Sequence, residues 1–272
     1  MSEHEQRRVV VRGCELATRQ KGEGVPFLWG HGLLSNMAQE DAVGLFSWGG
    51  TAARVVRYDA RGHGESGPSY DPAELRWPAL AQDMLALADT LGPGRVFLGG
   101  VSMGCATALH AAVAAPERVA GLVLVAPPTA WATRPRQARF YRFASSLVGW
   151  FGLAPFRLLA RIPAPASGSP VAALQSEMVD QLARADARAV AATLRGAAES
   201  DLPAPALLRS LRAPALILAW RKDPVHPIST ATRLRELLPN ADLSVAGSLE
   251  EIRGWPECVA RFVRENQAEA HG

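Results

Sequence analysis

Short apolar runs alternate with longer segments of helical periodicity along most of the chain. The runs are rich in β-branched and aromatic residues and are apolar at consecutive positions, as expected of strands covered on both faces. They lie at 9–11, 14–18, 25–29, 54–58, 95–100, 119–125, 215–220 and 241–245, and the first two are predicted to form a hairpin. This alternation predicts an α/β fold, with a mostly parallel eight-stranded sheet flanked by helices.

The segments between the runs predict helices at 78–91, 103–114, 228–238 and 256–267. The alternation stops between 128 and 211, where helical patterns are broken only by proline and glycine. We therefore predict that residues 1–127 and 212–272 form one core. Residues 128–211 are expected to be a helical cap inserted over the sheet.

Composition argues against several classes of protein. With 272 residues, 48% hydrophobic and 20% charged, the chain is long enough for a large buried core and is not of a disordered type. The formal charge of +3 is spread along the chain, which does not indicate nucleic-acid binding. No signal-peptide pattern or membrane span is predicted, so a cytoplasmic location is expected. Cys14, Cys105 and Cys258 are too far apart for a zinc site or disulfide framework, and reduced thiols and no metal are expected.

The strongest chemical motif is Gly100-Val101-Ser102-Met103-Gly104. It lies between a predicted strand and a predicted helix, which is the context that a G-x-S-x-G nucleophile turn requires. Glycines are needed on both sides because a Cβ would strike the neighbouring helix and strand. Ser102 is therefore predicted to stand exposed at the carboxyl end of the sheet as a nucleophile.

A second glycine-rich turn, Trp29-Gly30-His31-Gly32-Leu33-Leu34, follows the run at 25–29. It can direct the Leu33 backbone N–H toward the position that Ser102 faces. With the N–H of Met103, this would form a two-donor oxyanion hole. His31 is expected to shape this turn and, with the cap, to border the substrate.

These motifs resemble those of the α/β-hydrolase fold family. The likeness rests on His31-Gly32, on the turn Tyr58-Asp59-Ala60-Arg61-Gly62-His63-Gly64-Glu65-Ser66, and on the Ser102 motif. It is greatest to the compact esterase, enol-lactonase and C–C-bond hydrolase branch. The resemblance implies a Ser–His–acid triad, no cofactor and a cap at 128–211. It also implies that Asp59, Arg61 and His63 build structure.

The resemblance places the triad acid at Asp223, after the run at 215–220, and reveals one departure. Where the family carries histidine after the last strand, this chain has Ser248. His226 is the best substitute, because a carboxylate three residues earlier on a stiff turn can reach Nδ1 and leave Nε2 for Ser102. Three alternatives stay open: His226 faces solvent, Glu250 or Glu251 acts as a weaker base, or Ser248 replaces histidine by design.

The cap is the predicted source of specificity. Its aromatic side chains are expected to form an inner surface for a medium-sized apolar substrate, with Trp131, Phe140, Phe143 and Trp150 as substrate-binding residues and Tyr141, Phe151 and Phe156 beside them. Arg134, Arg136, Arg139 and Arg142 crowd its first helix. A solvated helix face is the simplest interpretation of these arginines, and an anionic ligand or a lipid interface is the alternative.

These observations favour a serine hydrolase that acts on a small molecule with an ester, a lactone or an activated C–C bond. A monomer or homodimer is expected. The missing histidine keeps two other hypotheses open. One is a non-hydrolytic enzyme such as a lyase or cyclase, and the other is a catalytically silent ligand-binding protein.

Overall fold

The computed structural model describes residues 5–44, 53–154, 158, 185–223 and 225–270. Its eight-stranded sheet has the order β1-β2-β4-β3-β5-β6-β7-β8. The strands are β1 (Glu5–Val11), β2 (Cys14–Lys21), β3 (Val25–Gly30), β4 (Ala53–Tyr58), β5 (Val96–Val101), β6 (Val119–Val125), β7 (Ala215–Trp220) and β8 (Ala241–Ala246). β2 is antiparallel to β1 and β4, and all other pairs are parallel. The predicted fold class is confirmed, and each predicted run overlaps one strand.

The described helices are α1 (Met37–Val43), α2 (Trp77–Asp89), α3 (Met103–Ala114), α4 (Arg134–Phe151), α5 (Ala187–Ala198), α6 (Pro205–Ser210), α7 (Ile228–Leu237), α8 (Leu249–Arg253) and α9 (Trp255–Glu265). The periodicity predicted α2, α3, α7 and α9. It missed α1 and α8, which have seven and five residues and are too short to show an apolar stripe.

The sheet is covered on both faces, as its continuous apolar strands predicted. Along β3, Leu28 points into the apolar layer beneath α2 and α3, whereas Phe27 and Trp29 point into the opposite layer, which includes Val263 of α9. All three β3 side chains are almost completely buried. Burying each contributes about 1.5–3 kcal/mol, so the central strands form a rigid support for the loops at their ends.

Between β6 and β7 the described chain contains α4, α5 and α6. Val148, Leu153, Val190 and Leu194 form a small apolar cluster between α4 and α5, and Leu33 and Leu34 pack against it. The helices therefore rest on the turn that follows β3. The boundaries predicted for the cap stay a prediction, since residues 155–157 and 159–184 lie outside the described chain. Among the described helices, none has the length and apolarity needed to cross a membrane.

Candidate active site

Ser102 occupies a strained turn between β5 and α3. Its φ of 53° and ψ of −103° lie in a region that non-glycine residues rarely adopt. The glycines on either side permit the turn: a Cβ on Gly100 would lie 2.7 Å from the Gly104 Cα, and one on Gly104 would lie 2.6 Å from the Gly30 carbonyl carbon. The turn places Ser102, which is partly exposed, at the carboxyl end of β5 and at the N-terminus of α3.

The underside of this turn includes Cys105, which the cysteine spacing predicted only to be a reduced thiol. The Cys105 Sγ lies 3.0 Å from the carbonyl oxygens of both Gly100 and Val125. Burial raises the pKa of this thiol, which stays protonated and can donate to them. Its position three residues after Ser102, on the buried side of α3, is the signal that could have revealed this supporting role.

The turn after β3 borders Ser102. A Cβ built on Gly32 would lie 4.0 Å from the Ser102 Cβ, so the two turns are in van der Waals range of each other. Within the described chain, neither the Leu33 nor the Met103 backbone N–H has a hydrogen-bond acceptor. The Met103 amide is free because the first residues of a helix have no acceptor one turn earlier. Backbone N–H groups without an acceptor are the kind of donor that an oxyanion requires.

His31 is a structural residue of this turn, and the prediction that it borders the substrate is wrong. Its Nδ1 donates to the Gly32 carbonyl oxygen at 2.7 Å, and its Nε2 accepts from the Ala60 N–H at 2.9 Å. The side chain is 1% exposed, and burial lowers the pKa of His31 to about 4. With both ring nitrogens used, a neutral His31 fixes the backbone that carries Leu33.

His226 lies between Ser102 and Asp223. Its Nε2 is 2.9 Å from the Ser102 Oγ, and its Nδ1 is 2.8 Å from the Asp223 Oδ2. Both hydrogen bonds expected from the sequence are present. Because a carboxylate only accepts, the proton of the neutral ring is on Nδ1, and Nε2 is left to accept from the Ser102 hydroxyl. The alternative in which His226 faces solvent is wrong, since its side chain is 21% exposed and makes both contacts.

Backbone N–H groups of its own loop hold the Asp223 carboxylate in place. Its Oδ1 accepts from the backbone N–H of Val225 at 2.8 Å and of His226 at 2.9 Å. Burial by itself raises the pKa of Asp223, but the hydrogen bond and electrostatic interaction with His226, together with these amides, outweigh it, and the pKa lies below its usual value. Asp223 is therefore ionised at neutral pH. Pro224, the next residue of the turn that was predicted to be stiff, lies outside the described residues.

Ser248, at the position where the resemblance predicted a histidine, begins a helix. It is the N-cap of α8, where its Oγ accepts from the Glu251 N–H at 3.3 Å and donates to the Glu251 carboxylate at 3.1 Å. The other Glu251 oxygen accepts from the Gly247 N–H at 3.0 Å. Glu251 is thus occupied by the cap, and Glu250, like Glu251, is exposed. Neither has a described contact with Ser102, whereas His226 has one.

The aromatic residues of α4 do not form the predicted inner surface. Phe140, Phe143 and Trp150 are 63%, 66% and 80% exposed, because the face of α4 that packs inward is the opposite one, lined by Ala138 and Val148. Phe151 is also exposed, Tyr141 is partly buried, and Phe156 lies outside the described residues. The prediction that Phe140, Phe143 and Trp150 bind substrate on an inner surface of the cap is therefore wrong.

Trp131 is partly buried, but its polar groups are already used. Its Nε1 donates to the Pro203 carbonyl oxygen at 3.1 Å, and its backbone N–H donates to the Asp201 carboxylate at 3.0 Å. It lines a surface cavity of about 360 Å³ with Thr133 and Arg233. A second cavity, of about 500 Å³, lies at the amino ends of β3 and β5. Ser102 lines neither cavity, so they are not where its chemistry would occur.

The turn after β4 is a scaffold, as the resemblance implied. Asp59 accepts from the Met37 N–H at 2.7 Å and from the Glu65 N–H at 2.8 Å, which ties two loops together. Arg61 forms a two-pronged pair with Asp83 of α2, with both contacts at 2.9 Å. His63 is buried, donates from Nδ1 to the Arg61 carbonyl oxygen at 2.9 Å, and has its ring centre 5.0 Å from that of His31.

Known proteins resemble this chain in sequence and in fold. The chain is 31% identical over 199 residues to "Putative carbamate hydrolase RutD" of Caulobacter sp. (strain K31), covering 71% of this chain and 72% of that protein. It is 29% identical over 215 residues to a 2-hydroxy-6-oxononadienedioate/2-hydroxy-6-oxononatrienedioate hydrolase of Burkholderia vietnamiensis (strain G4 / LMG 22486), covering 78% and 74%. The structure of a thermophilic esterase from Thermogutta terrifontis superposes with a TM-score of 0.74 and 26% identity over 98% of this chain and 100% of that one. A family model described as alpha/beta hydrolase fold matches residues 31–251, and the chain therefore belongs to that family.

Proposed function

We propose that this protein is a cofactor-independent serine hydrolase that cleaves an ester or lactone, or an activated C–C bond beside a carbonyl group. The observation that carries the proposal is the 2.9 Å contact between the Ser102 Oγ and the His226 Nε2. A base at hydrogen-bond distance from a serine nucleophile, and itself oriented by a carboxylate, is the requirement for this chemistry. The hydrolase relatives reported above support the same general reaction.

The geometry supports one sequence of bond changes. The Ser102 oxygen attacks the substrate carbonyl carbon while its proton passes to the His226 Nε2, and Asp223 stabilises the imidazolium. The N–H groups of Leu33 and Met103 hold the resulting oxyanion. The intermediate expels the leaving group, which takes the proton from Nε2 and leaves an acyl group on Ser102. A water molecule, deprotonated by His226, then releases the acid and restores Ser102.

The proposed substrate is a medium-sized apolar carbonyl compound. Support comes from the apolar cluster of Val148, Leu153, Val190 and Leu194, which packs against Leu33 beside the oxyanion donors. Under this proposal α4 and α5 act as the cap, and their packing surface limits the shape of the acyl or alcohol group. The exposed aromatic residues of α4 are not among the proposed substrate contacts.

Labelling with a fluorophosphonate, followed by mass spectrometry of the labelled peptide, tests the proposal. We expect the wild-type protein to be labelled at Ser102 and to hydrolyse members of a panel of activated esters and lactones. His226→Ala should remove most labelling and turnover, because removing a triad member typically lowers turnover by about 10⁴-fold or more. Ser248→Ala is the matched control, since it changes the position where the family carries histidine and should leave labelling unchanged. Labelling of His226→Ala at the wild-type rate would overturn the role of His226.

A further inference from the structure

The outer face of α4 carries an apolar surface. Four aromatic side chains lie within one arc of this helix and are exposed by 62–80%, with a half-exposed leucine among them: Phe140, Phe143, Leu147, Trp150 and Phe151. Spacings of three and four residues place them along one stripe. We call these five residues the outer stripe. Exposed tryptophan and phenylalanine side chains in such number are unusual unless something covers them.

The inward face of α4 is already packed against the rest of the described chain. Ala138 and Val148 are buried, and the guanidinium of Arg134 is buried 4.2 Å from the centre of the Trp77 ring. The Arg134 Nε also donates to the Ser200 carbonyl oxygen at 2.8 Å. Rotating α4 to bury the outer stripe would expose these groups. The stripe is therefore an outward surface of the folded chain.

The charged residues of α4 itself all have one sign. Arg136, Arg139 and Arg142 lie on the exposed side of α4, and none has an ion-pair partner within the described residues. From residue 118 to residue 176 the sequence contains seven arginines and no aspartate or glutamate. The basic residues occupy the first half of α4 and the aromatic residues mostly the second half, which gives a helix face that is cationic at one end and apolar at the other.

We propose that this face docks on an anionic lipid surface, with the outer stripe entering the interfacial region and the three arginines contacting lipid phosphates. Tryptophan and phenylalanine favour the interface, and arginine is attracted by anionic headgroups. A second copy of the chain fits less well, because a symmetric contact would bring the same unpaired arginines against each other. Docking at α4 would hold the adjoining turn of Leu33 close to the membrane.

Co-sedimentation of the full-length chain with vesicles tests this inference. The vesicles are phosphatidylcholine alone, or phosphatidylcholine with about one third phosphatidylglycerol. We expect binding to the anionic vesicles only, weakened by high salt. Arg139→Gln with Arg142→Gln should weaken it about 25-fold, from about fivefold per arginine. Phe143→Ser and Trp150→Ser should each weaken it about tenfold.

The matched control changes an exposed leucine and arginine on another helix, Leu207→Ser with Arg209→Gln in α6, and should bind as the wild type does. Unchanged melting temperatures verify that all variants are folded, because the substituted side chains are exposed. Equal binding by the outer-stripe variants and the control would overturn the proposal. So would absence of binding to anionic vesicles, or a wild-type dimer in sedimentation velocity that Trp150→Ser dissociates without any vesicle binding.

Discussion

Replacing Gly104 by alanine is expected to destabilise the protein and to displace Ser102. The added Cβ would lie 2.6 Å from the Gly30 carbonyl carbon and closer still to its oxygen. These are backbone atoms of β3, a central strand buried on both faces, so they cannot rotate away as a side chain would. Overpacking costs about 1–3 kcal/mol, and we expect about 3 kcal/mol here because the obstacle is rigid. For a chain of this length the melting temperature would fall by about 5 °C.

Thermal unfolding followed by circular dichroism measures this effect. Gly149→Ala is the matched control, because Gly149 is also within a helix but has no atom within 4 Å of a built Cβ. That control should gain about 0.5–1 kcal/mol from its better helix propensity. At the assay temperature, the turnover of Gly104→Ala should fall by more than its loss of folded protein accounts for, because Ser102 is displaced. A melting temperature at or above that of the wild type would refute the close contact between β3 and the Ser102 turn.

Three further changes test other parts of the site. Asp223→Asn should lower turnover by about 10⁴-fold with little change in stability, because the amide favours the wrong His226 tautomer. A fall of less than tenfold in steady-state kinetics would contradict the role of Asp223 in orienting His226. Ser248→Ala should cost about 1 kcal/mol in urea unfolding through loss of the α8 cap, with unchanged turnover. Burial and the neighbouring His31 lower the pKa of His63 to about 3. Between about pH 6.5 and 3 the unfolded chain therefore binds one more proton than the folded chain, and the free energy of unfolding falls as the solution is acidified. His63→Asn should reduce this slope by about 1.4 kcal/mol per pH unit in unfolding measured at several pH values, and an unchanged slope would contradict the assigned burial.

The parts of the site that depend on local sequence were the parts that could be predicted. The Ser102 turn follows from two glycines between a strand and a helix, and the Asp223–His226 contact spans only three residues. Contact of His226 with Ser102 joins residues 124 positions apart, and it depends on how one loop bends above β7. The sequence therefore identified His226 as a candidate base but could not exclude a solvent-facing side chain.

The orientation of α4 could not be predicted, for a different physical reason. Its sequence has apolar residues on two faces, with Tyr141 and Val148 on one and Phe143 and Trp150 on the other. Hydrophobic periodicity alone favours neither face. The choice is made by α5, which packs on the Val148 face with Val190, and by the buried guanidinium of Arg134. These are long-range contacts with no local signature.

The candidate general base, His226, and the carboxylate that orients it, Asp223, lie on one short connection between β7 and α7. Since Asp223 and His226 lie within four consecutive positions, their mutual contact is made within the connection itself, and the Arg221 N–H joins its start to the Ala246 carbonyl oxygen of β8 at 2.8 Å. Under the proposed function, substitutions after β8 that leave this backbone hydrogen bond in place should not disturb proton transfer. Grafting the connection into an alpha/beta hydrolase fold protein whose histidine base has been removed would test whether the base and its acid can be transferred together as one segment.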